Sequence, residues 1–287
     1  MKKIDKNQEE RQALFQTMRT AFLTAYPKIF TDISNGAEIF FQATKLATEY
    51  GFSFQTSLFV ANMAIEIEAR HKALSTAVKK QIKGNTLVIE LAAGLSPRRT
   101  EFDETPYVEI DHKPIVEIKK DVYGKMGMKE YASNLLVSDF TKQGDFAALL
   151  EGLHLQRYQK VVVVSEGLFW YLKRAHVQGM VEALNNALQG ISWVWVTADC
   201  PIKAEVSEEE YRNVIANSSN RSPVEPFADF ADFAFFFENN GFFVTASNLA
   251  SFVKPQDVTS GRFFSVPLED VEKRMADYTD IAVIEKR

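Results

Sequence analysis

The chain has 287 residues, of which 46% are hydrophobic and 25% charged, with a net charge of -5. That balance fits one globular α/β unit with a core of its own, and it excludes the strongly basic profile a duplex-binding protein needs to displace counterions. A single cysteine, Cys200, excludes an internal disulfide and a cysteine-based zinc site, and His71, His112, His154 and His176 lack the paired spacing of a zinc-binding helix, so no metal is expected.

In chain order, residues 10–25 carry Leu14, Met18, Phe22, Leu23 and Ala25 at helical spacing, and Pro27 ends the run. A second predicted helix covers 37–50, with Gly51 as its stop. A third spans 56–82, carrying Ala61, Ile65, Ala69 and Leu74, with Gly84-Asn85 at its close. Residues 1–84 thus read as an N-terminal helical cap on a single domain that continues through 85–287. The basic start Met1-Lys2-Lys3 leads into a polar stretch rather than a signal-peptide core, and no run approaches the ~20 apolar residues of a membrane helix. A cytoplasmic location without membrane partners is the expectation.

From Thr86 the pattern changes to short apolar strands separated by helices. The predicted strands are Thr86-Leu87-Val88-Ile89-Glu90-Leu91, Tyr107-Val108-Glu109-Ile110-Asp111, Leu135-Leu136-Val137-Ser138-Asp139, residues 160–166 and residues 191–197. Helices are expected over 113–122, 145–155 and 174–189. Near the C-terminus, 227–240 reads as a helix stopped by Gly241, and 242–245 and 281–284 as two final strands. Strands apolar throughout are buried on both faces, and their alternation with helices predicts a mostly parallel, seven-stranded α/β sheet covered on both sides. Trp193 and Trp195, and the phenylalanines of 233–237, read as packing. The polar, turn-rich stretch 201–226 is the expected lid.

Ligands of an open parallel sheet bind beyond the carboxyl ends of its strands. There the sequence puts Glu90, Asp111, Asp139 and Glu166, four acids on four consecutive strands. Asp111 follows the small-residue turn Ala92-Ala93-Gly94 by the interval at which a carboxylate meets ribose hydroxyls. A buried carboxylate needs donors, and a nucleoside with a cationic amino-acid tail supplies many of them. Ala92 and Ala93 stand where a dinucleotide loop would carry more glycines, which tilts the reading away from a nicotinamide enzyme, although a nucleotide-dependent enzyme on a similar sheet remains open.

Val88-Ile89-Glu90-Leu91-Ala92-Ala93-Gly94-Leu95-Ser96-Pro97-Arg98 resembles the first motif of the leucine carboxyl methyltransferase family, which includes polyketide O-methyltransferases of the tetracenomycin type. Val108-Glu109-Ile110-Asp111-His112-Lys113-Pro114 is similar to a second family segment, and Ser165-Glu166-Gly167-Leu168-Phe169-Trp170-Tyr171-Leu172 resembles the Glu-Gly-x-x-x-Tyr-Leu signature. Glu68-Ala69-Arg70 is similar to the stretch that presents an arginine to the cofactor. The resemblance implies a Rossmann-like class I methyltransferase that uses S-adenosylmethionine to methylate an oxygen of a small molecule. By position it implies that Arg70 pairs with the methionine carboxylate, Gly94 lies beneath the methionine tail and Asp111 holds the ribose. Asp139 and Phe140 would meet the adenine, Glu166 would sit near the methionine amino group, and Glu90 is counted with them as cofactor-binding. Trp170 and Tyr171, which follow a strand, read either as core or as lining of the substrate pocket near the sulfonium. The family's Gly-x-Gly is Ala92-Ala93-Gly94 here, and its Asp-Thr-Arg is Ser96-Pro97-Arg98, so Arg98 has a second reading as a residue that caps or bridges to Glu101 or Asp103. No catalytic base is assigned and oligomeric state is unread. A cofactor-binding protein that has lost catalysis is the alternative of a different class.

Overall fold

A computed structural model describes residues 19–49, 60–201, 224 and 226–287. Seven strands form one sheet: β1 (Thr86–Leu91), β2 (Tyr107–Asp111), β3 (Leu135–Val137), β4 (Lys160–Ser165), β5 (Ser192–Thr197), β6 (Phe242–Asn248) and β7 (Asp280–Lys286). Their order is β3-β2-β1-β4-β5-β7-β6. The pairs among β1 to β5 are parallel, and β7 runs antiparallel to both β5 and β6. The expected sheet is therefore present, with one reversed strand. The order turns back between β1 and β4, which opens a crevice at their carboxyl ends.

The sheet's two faces follow from strand parity. Leu87, Ile89, Leu91, Val161 and Val163 point to one side. They pack there against α6 (Asp145–Glu151), α7 (Arg174–Ala187) and α8 (Phe230–Asn239). Val88, Val162, Val164, Val194 and Val196 point to the other, against Ile65, Ala69, Ala73 and Val78 of α3 (Val60–Gln81) and Val271 and Met275 of α10 (Leu268–Asp277). Glu90 shares that second parity, so the fold directs a carboxylate into the layer beneath α3.

The N-terminal segment forms a third cluster. α1 (Arg19–Ala25) ends where Pro27 would remove an amide donor, and a 3-10 turn over Tyr26–Phe30 follows. α2 (Gly36–Glu49) presents Ile39, Phe40, Ala43 and Leu46 to Val116, Ile118 and Val122 of α4 (Lys113–Lys125). Most expected helices are close to their predicted limits, but 56–59, the start of the third, and 10–18, the start of the first, lie outside the described residues. The expected lid also lies outside them, apart from Pro201, Val224 and Pro226. Three helices were not among the expected elements: α5 (Lys129–Ala132), α9 (Thr259–Phe263) and α10.

Trp193 and Trp195 are buried, as are Phe233, Phe236 and Phe237, whereas Phe235 is exposed. Phe237 lies within aromatic contact of Phe169, Trp195, Phe233 and Phe242, which joins α8 to the sheet and to the turn after β4. Phe237→Ala is expected to lower the unfolding free energy by about 3–5 kcal/mol, the cost of a large cavity in a close-packed core, as read by urea denaturation.

Candidate functional site

The carboxyl ends of β1, β2 and β4 are level: Leu91 pairs with Ile110 on one side and Ser165 on the other. Asp111 and Glu166 therefore flank the turn that follows β1. That turn is tight. Ala92 and Gly94 have φ values of 52° and 50°, a left-handed backbone that a residue with a Cβ adopts at a cost of roughly 1–2 kcal/mol. Ala92 holds it without glycine because its neighbours fix the loop. The Ala93 amide donates to the Ile110 carbonyl, the Ser96 amide to the Ala93 carbonyl, and the Gly94 amide to Oδ2 of Asp111 at 2.7 Å. The loop thus keeps its course despite the departure from Gly-x-Gly.

Asp111 is buried, and its Oδ1 accepts the His112 amide at 2.7 Å. Burial raises its carboxyl above the ordinary value, against the two amide hydrogen bonds that favour the charged form. Each oxygen holds one donor and retains a further lone pair. Asp139 is two residues past β3. Its Oδ1 takes the Thr141 amide at 3.0 Å and the Thr141 hydroxyl at 2.6 Å, and its carboxylate is 3.8 Å from Nδ1 of His112. Burial would raise its pKa, but the Thr141 bonds and the His112 and Lys142 charges lower it. Phe140 is buried, edge-on to His112 and Phe146.

The densest part of the site lies under α3. Arg70 donates from Nε to Glu166 at 2.8 Å and from Nη1 to the Tyr278 hydroxyl at 2.9 Å. Arg98, with no exposed surface, donates from Nη2 to the other Glu166 oxygen at 2.5 Å and from Nη1 to Glu90. The second Glu90 oxygen accepts the Tyr107 hydroxyl at 2.8 Å. Arg98 thus bridges Glu90 and Glu166. This corrects the reading in which it meets Glu101 or Asp103: Glu101 is held by His71 at 2.6 Å, and Asp103 by the Tyr131 hydroxyl. Because a guanidinium can only donate, Nδ1 of His71, 3.3 Å from Arg98, accepts, and its Nε2–H points to Glu101. Burial opposes ionisation of Glu166, yet the Arg70, Arg98 and Lys28 charges hold its carboxyl well below the usual range.

Sequence reasoning did not single out Lys28. It lies in the 3-10 turn after α1 and is 96% buried, being 4% exposed. Among the described residues its ammonium makes no hydrogen bond or ion pair, and it faces Glu166, Glu90, Arg98 and Arg70. Burial, offset by Glu166 and reinforced by Arg98, lowers its pKa to about 8. Three cations against two carboxylates leave this wall with one excess positive charge, and a lysine in a helical cap gives no local sequence signal for that.

Two further residues brace the site. Glu68, fully buried, accepts the amides and hydroxyls of Thr259 and Ser260 and the Lys72 ammonium, so α9 is clasped to the helix that carries Arg70. Lys119 reaches Glu109 at 2.5 Å and the Ala93 carbonyl at 3.4 Å, fixing the turn from below. Trp170 and Tyr171 form a 3-10 turn four residues past Glu166, and the Trp170 carbonyl accepts the Val224 amide at 2.9 Å.

The profile of the leucine carboxyl methyltransferase family matches residues 13–185. The chain belongs to this family. It is a methyltransferase, and family and fold together imply S-adenosylmethionine as the methyl donor. That sets aside the nicotinamide-dependent reading. The fold agrees: a DUF574 family protein from Streptomyces avermitilis MA-4680 superposes with a TM-score of 0.54 at 14% identity, over 93% of this chain and 97% of that one. The mitomycin 7-O-methyltransferase MmcR gives a TM-score of 0.47 at 12% identity over 88% of this chain and 70% of that chain. A putative O-methyltransferase from Nostoc punctiforme PCC 73102 gives 0.45 at 12% over 92% and 71%. No curated protein sequence matches the chain. Among the described residues no helix is long and apolar enough to cross a membrane.

The charged wall of this methyltransferase makes its stability depend on pH. Burial alone would raise Glu101, but the His71 hydrogen bond and the Arg98 and Lys79 charges hold it at about 2, against an ordinary 4.5. Burial, with Arg98 beside it, lowers His71 below its ordinary 6.5. In both cases the unfolded chain binds more protons than the folded one, so stability is lost on acidification: from about 6.5 downward for His71, and from about 4.5 toward about 2 for Glu101. Urea denaturation is expected to show a fall of about 3 kcal/mol or more between neutral and strongly acid pH, and Glu101→Gln is expected to flatten its acid limb.

Proposed function

We propose that this methyltransferase uses S-adenosylmethionine to methylate an oxygen, carboxylate or hydroxyl, of a small-molecule acceptor. The observation that carries the reading is the charged wall at the carboxyl edge of β1 and β4. There Lys28, buried and without a hydrogen-bond or ion-pair partner among the described residues, stands beside the Arg70–Glu166–Arg98–Glu90 array and gives the wall one excess positive charge. A buried excess charge is costly unless a counter-ion arrives, and an α-carboxylate is a fitting one. The same array carries Glu166, an acceptor for the neighbouring ammonium.

In this assignment Arg70 and Lys28 hold the cofactor's carboxylate and Glu166 its amino group, while Glu90 keeps Arg98 in place below them. Gly94, around whose Cα only the Ala92 carbonyl comes within 4 Å of an added Cβ, passes beneath the methionine tail. Asp111 takes the ribose hydroxyls on its remaining lone pairs, and Asp139 and Phe140 border the adenine. When bound, the sulfonium supplies a methyl group already activated for displacement. The protein's own task is then to bind, to align the acceptor oxygen and to exclude water. Trp170 and Tyr171 are assigned to the acceptor side, where aromatic faces suit a nearby cation. The carboxyl chemistry in the family's name supports an oxygen acceptor. A carboxylate acceptor needs no base, and the histidines fit that: His71 is fully buried between Arg98 and Glu101, and Nδ1 of His176 accepts the Lys173 amide.

Titration calorimetry tests the cofactor assignment. Asp111→Ala and Glu166→Gln are each expected to weaken S-adenosylmethionine binding about ten- to a hundredfold while circular dichroism stays unchanged. Wild-type affinity in both variants would overturn it. For the acceptor, label transferred from methyl-labelled cofactor into a base-labile ester indicates a carboxylate, and into a base-stable ether a hydroxyl. Label recovered only on nitrogen, carbon or sulfur removes the oxygen assignment.

A further inference from the structure

Asp199 lies two residues beyond β5, is buried, and belongs to none of the strand-end acids discussed above. Its Oδ2 accepts the hydroxyls of Ser165 at 2.6 Å and Thr197 at 2.9 Å. Its Oδ1 accepts the amides of Leu168 at 2.7 Å and Phe169 at 3.4 Å. The Ser165 hydroxyl also takes the Trp195 indole N–H at 3.0 Å, and the Ala198 amide reaches the Ser165 carbonyl. All four donors to the carboxylate are neutral; burial raises its pKa above the ordinary value, against these hydrogen bonds, which favour the charged form.

These partners bracket Glu166. One oxygen grips residue 165, the last of β4, and the other grips 168 and 169, where the 3-10 turn toward Trp170 begins. Between them Gly167 has a φ of 74°, a conformation that lets the chain reverse direction immediately after Glu166. A turn of this kind is fixed by what holds its two ends, and here one side chain from the next strand holds both. We infer that Asp199 is the positioning residue for Glu166: by clamping the turn 165–169 from the end of β5 it sets where the Glu166 carboxylate meets the amino-acid tail of the cofactor. Asp199 itself touches neither, and the inference rests on the reading above in which Glu166 receives the cofactor's amino group.

The test compares S-adenosylmethionine with 5′-methylthioadenosine, which keeps the nucleoside and lacks the amino-acid tail. Asp199→Asn preserves volume and one acceptor oxygen but removes the charge. It is expected to weaken S-adenosylmethionine binding about tenfold while leaving methylthioadenosine within about twofold of wild type. Adding it to Glu166→Gln is expected to cause little further loss, since the two act through one contact. Equal losses for both ligands would mean a general structural role and would overturn the inference. So would wild-type S-adenosylmethionine affinity in Asp199→Asn when Glu166→Gln alone is weak. A Glu166→Gln protein that binds the cofactor normally defeats instead the reading beneath, and the inference falls with it. Should Asp199→Asn not fold, Thr197→Val removes one donor from the same oxygen: a loss of about threefold confined to S-adenosylmethionine supports the clamp, and no loss overturns it.

Discussion

Burying Glu90 inside the sheet layer imposes a condition on everything around it. A carboxylate deprived of water needs cationic and hydrogen-bonding partners at close range, and Arg98 and Tyr107 are those partners. Arg98 is itself fully buried, so its remaining donors must also be met, and Glu166, Ser75 and His71 meet them. Glu166 brings Arg70, and His71 brings Glu101. Each partner thus answers a need of the one before it, and Arg98, which bridges both carboxylates, is the member whose removal costs most. The charged wall is cross-braced for this reason.

Such a wall is useful to a methyltransferase because the reaction needs alignment more than it needs protein acid or base. Under the proposed assignment the array supplies ordered charges before the ligand arrives, which limits the reorganisation required on binding. The helical cap closes the arrangement. Lys28 and Arg70 reach the site from two of its segments, and the Glu68 clasp to Thr259 and Ser260 ties the second to the C-terminal part of the chain. Residues far apart in sequence thus share one wall, and the 255–263 region is tied to the helix of Arg70 by the Glu68 carboxylate and by the Lys72 ammonium on the Asp257 carbonyl.

The strands were legible because each is a short apolar run with acids or turn residues at its end, and burial on both faces leaves few other solutions. β1 and β2 match their predicted limits, while β3 stops two residues short of Asp139, where the chain turns to meet Thr141. The family segments were legible for the same local reason: Gly94, Asp111 and Glu166 occur in contiguous motifs. Arg98 was visible in sequence but its partners were not, since Glu101 and Asp103 are nearer along the chain while Glu90 and Glu166 are nearer in space. Lys28 and Asp199 had no motif at all, and Glu68 stood in one only as a neighbour of Arg70. Their significance comes from burial, which a single charged residue in a helix or loop does not announce.

By itself the sequence determined the order of helices and strands, the edge of the sheet where chemistry belongs, and the acids that mark it. These follow from periodicity and from local hydrogen-bonding needs, which act over a few residues. Only the tertiary structure decided which cations meet those acids, that β7 enters the sheet reversed between β5 and β6, and that one carboxylate after β5 holds both ends of the Glu166 turn. Pairing of buried charges depends on distance through space and on exclusion of water, and neither is encoded within any single stretch of the chain.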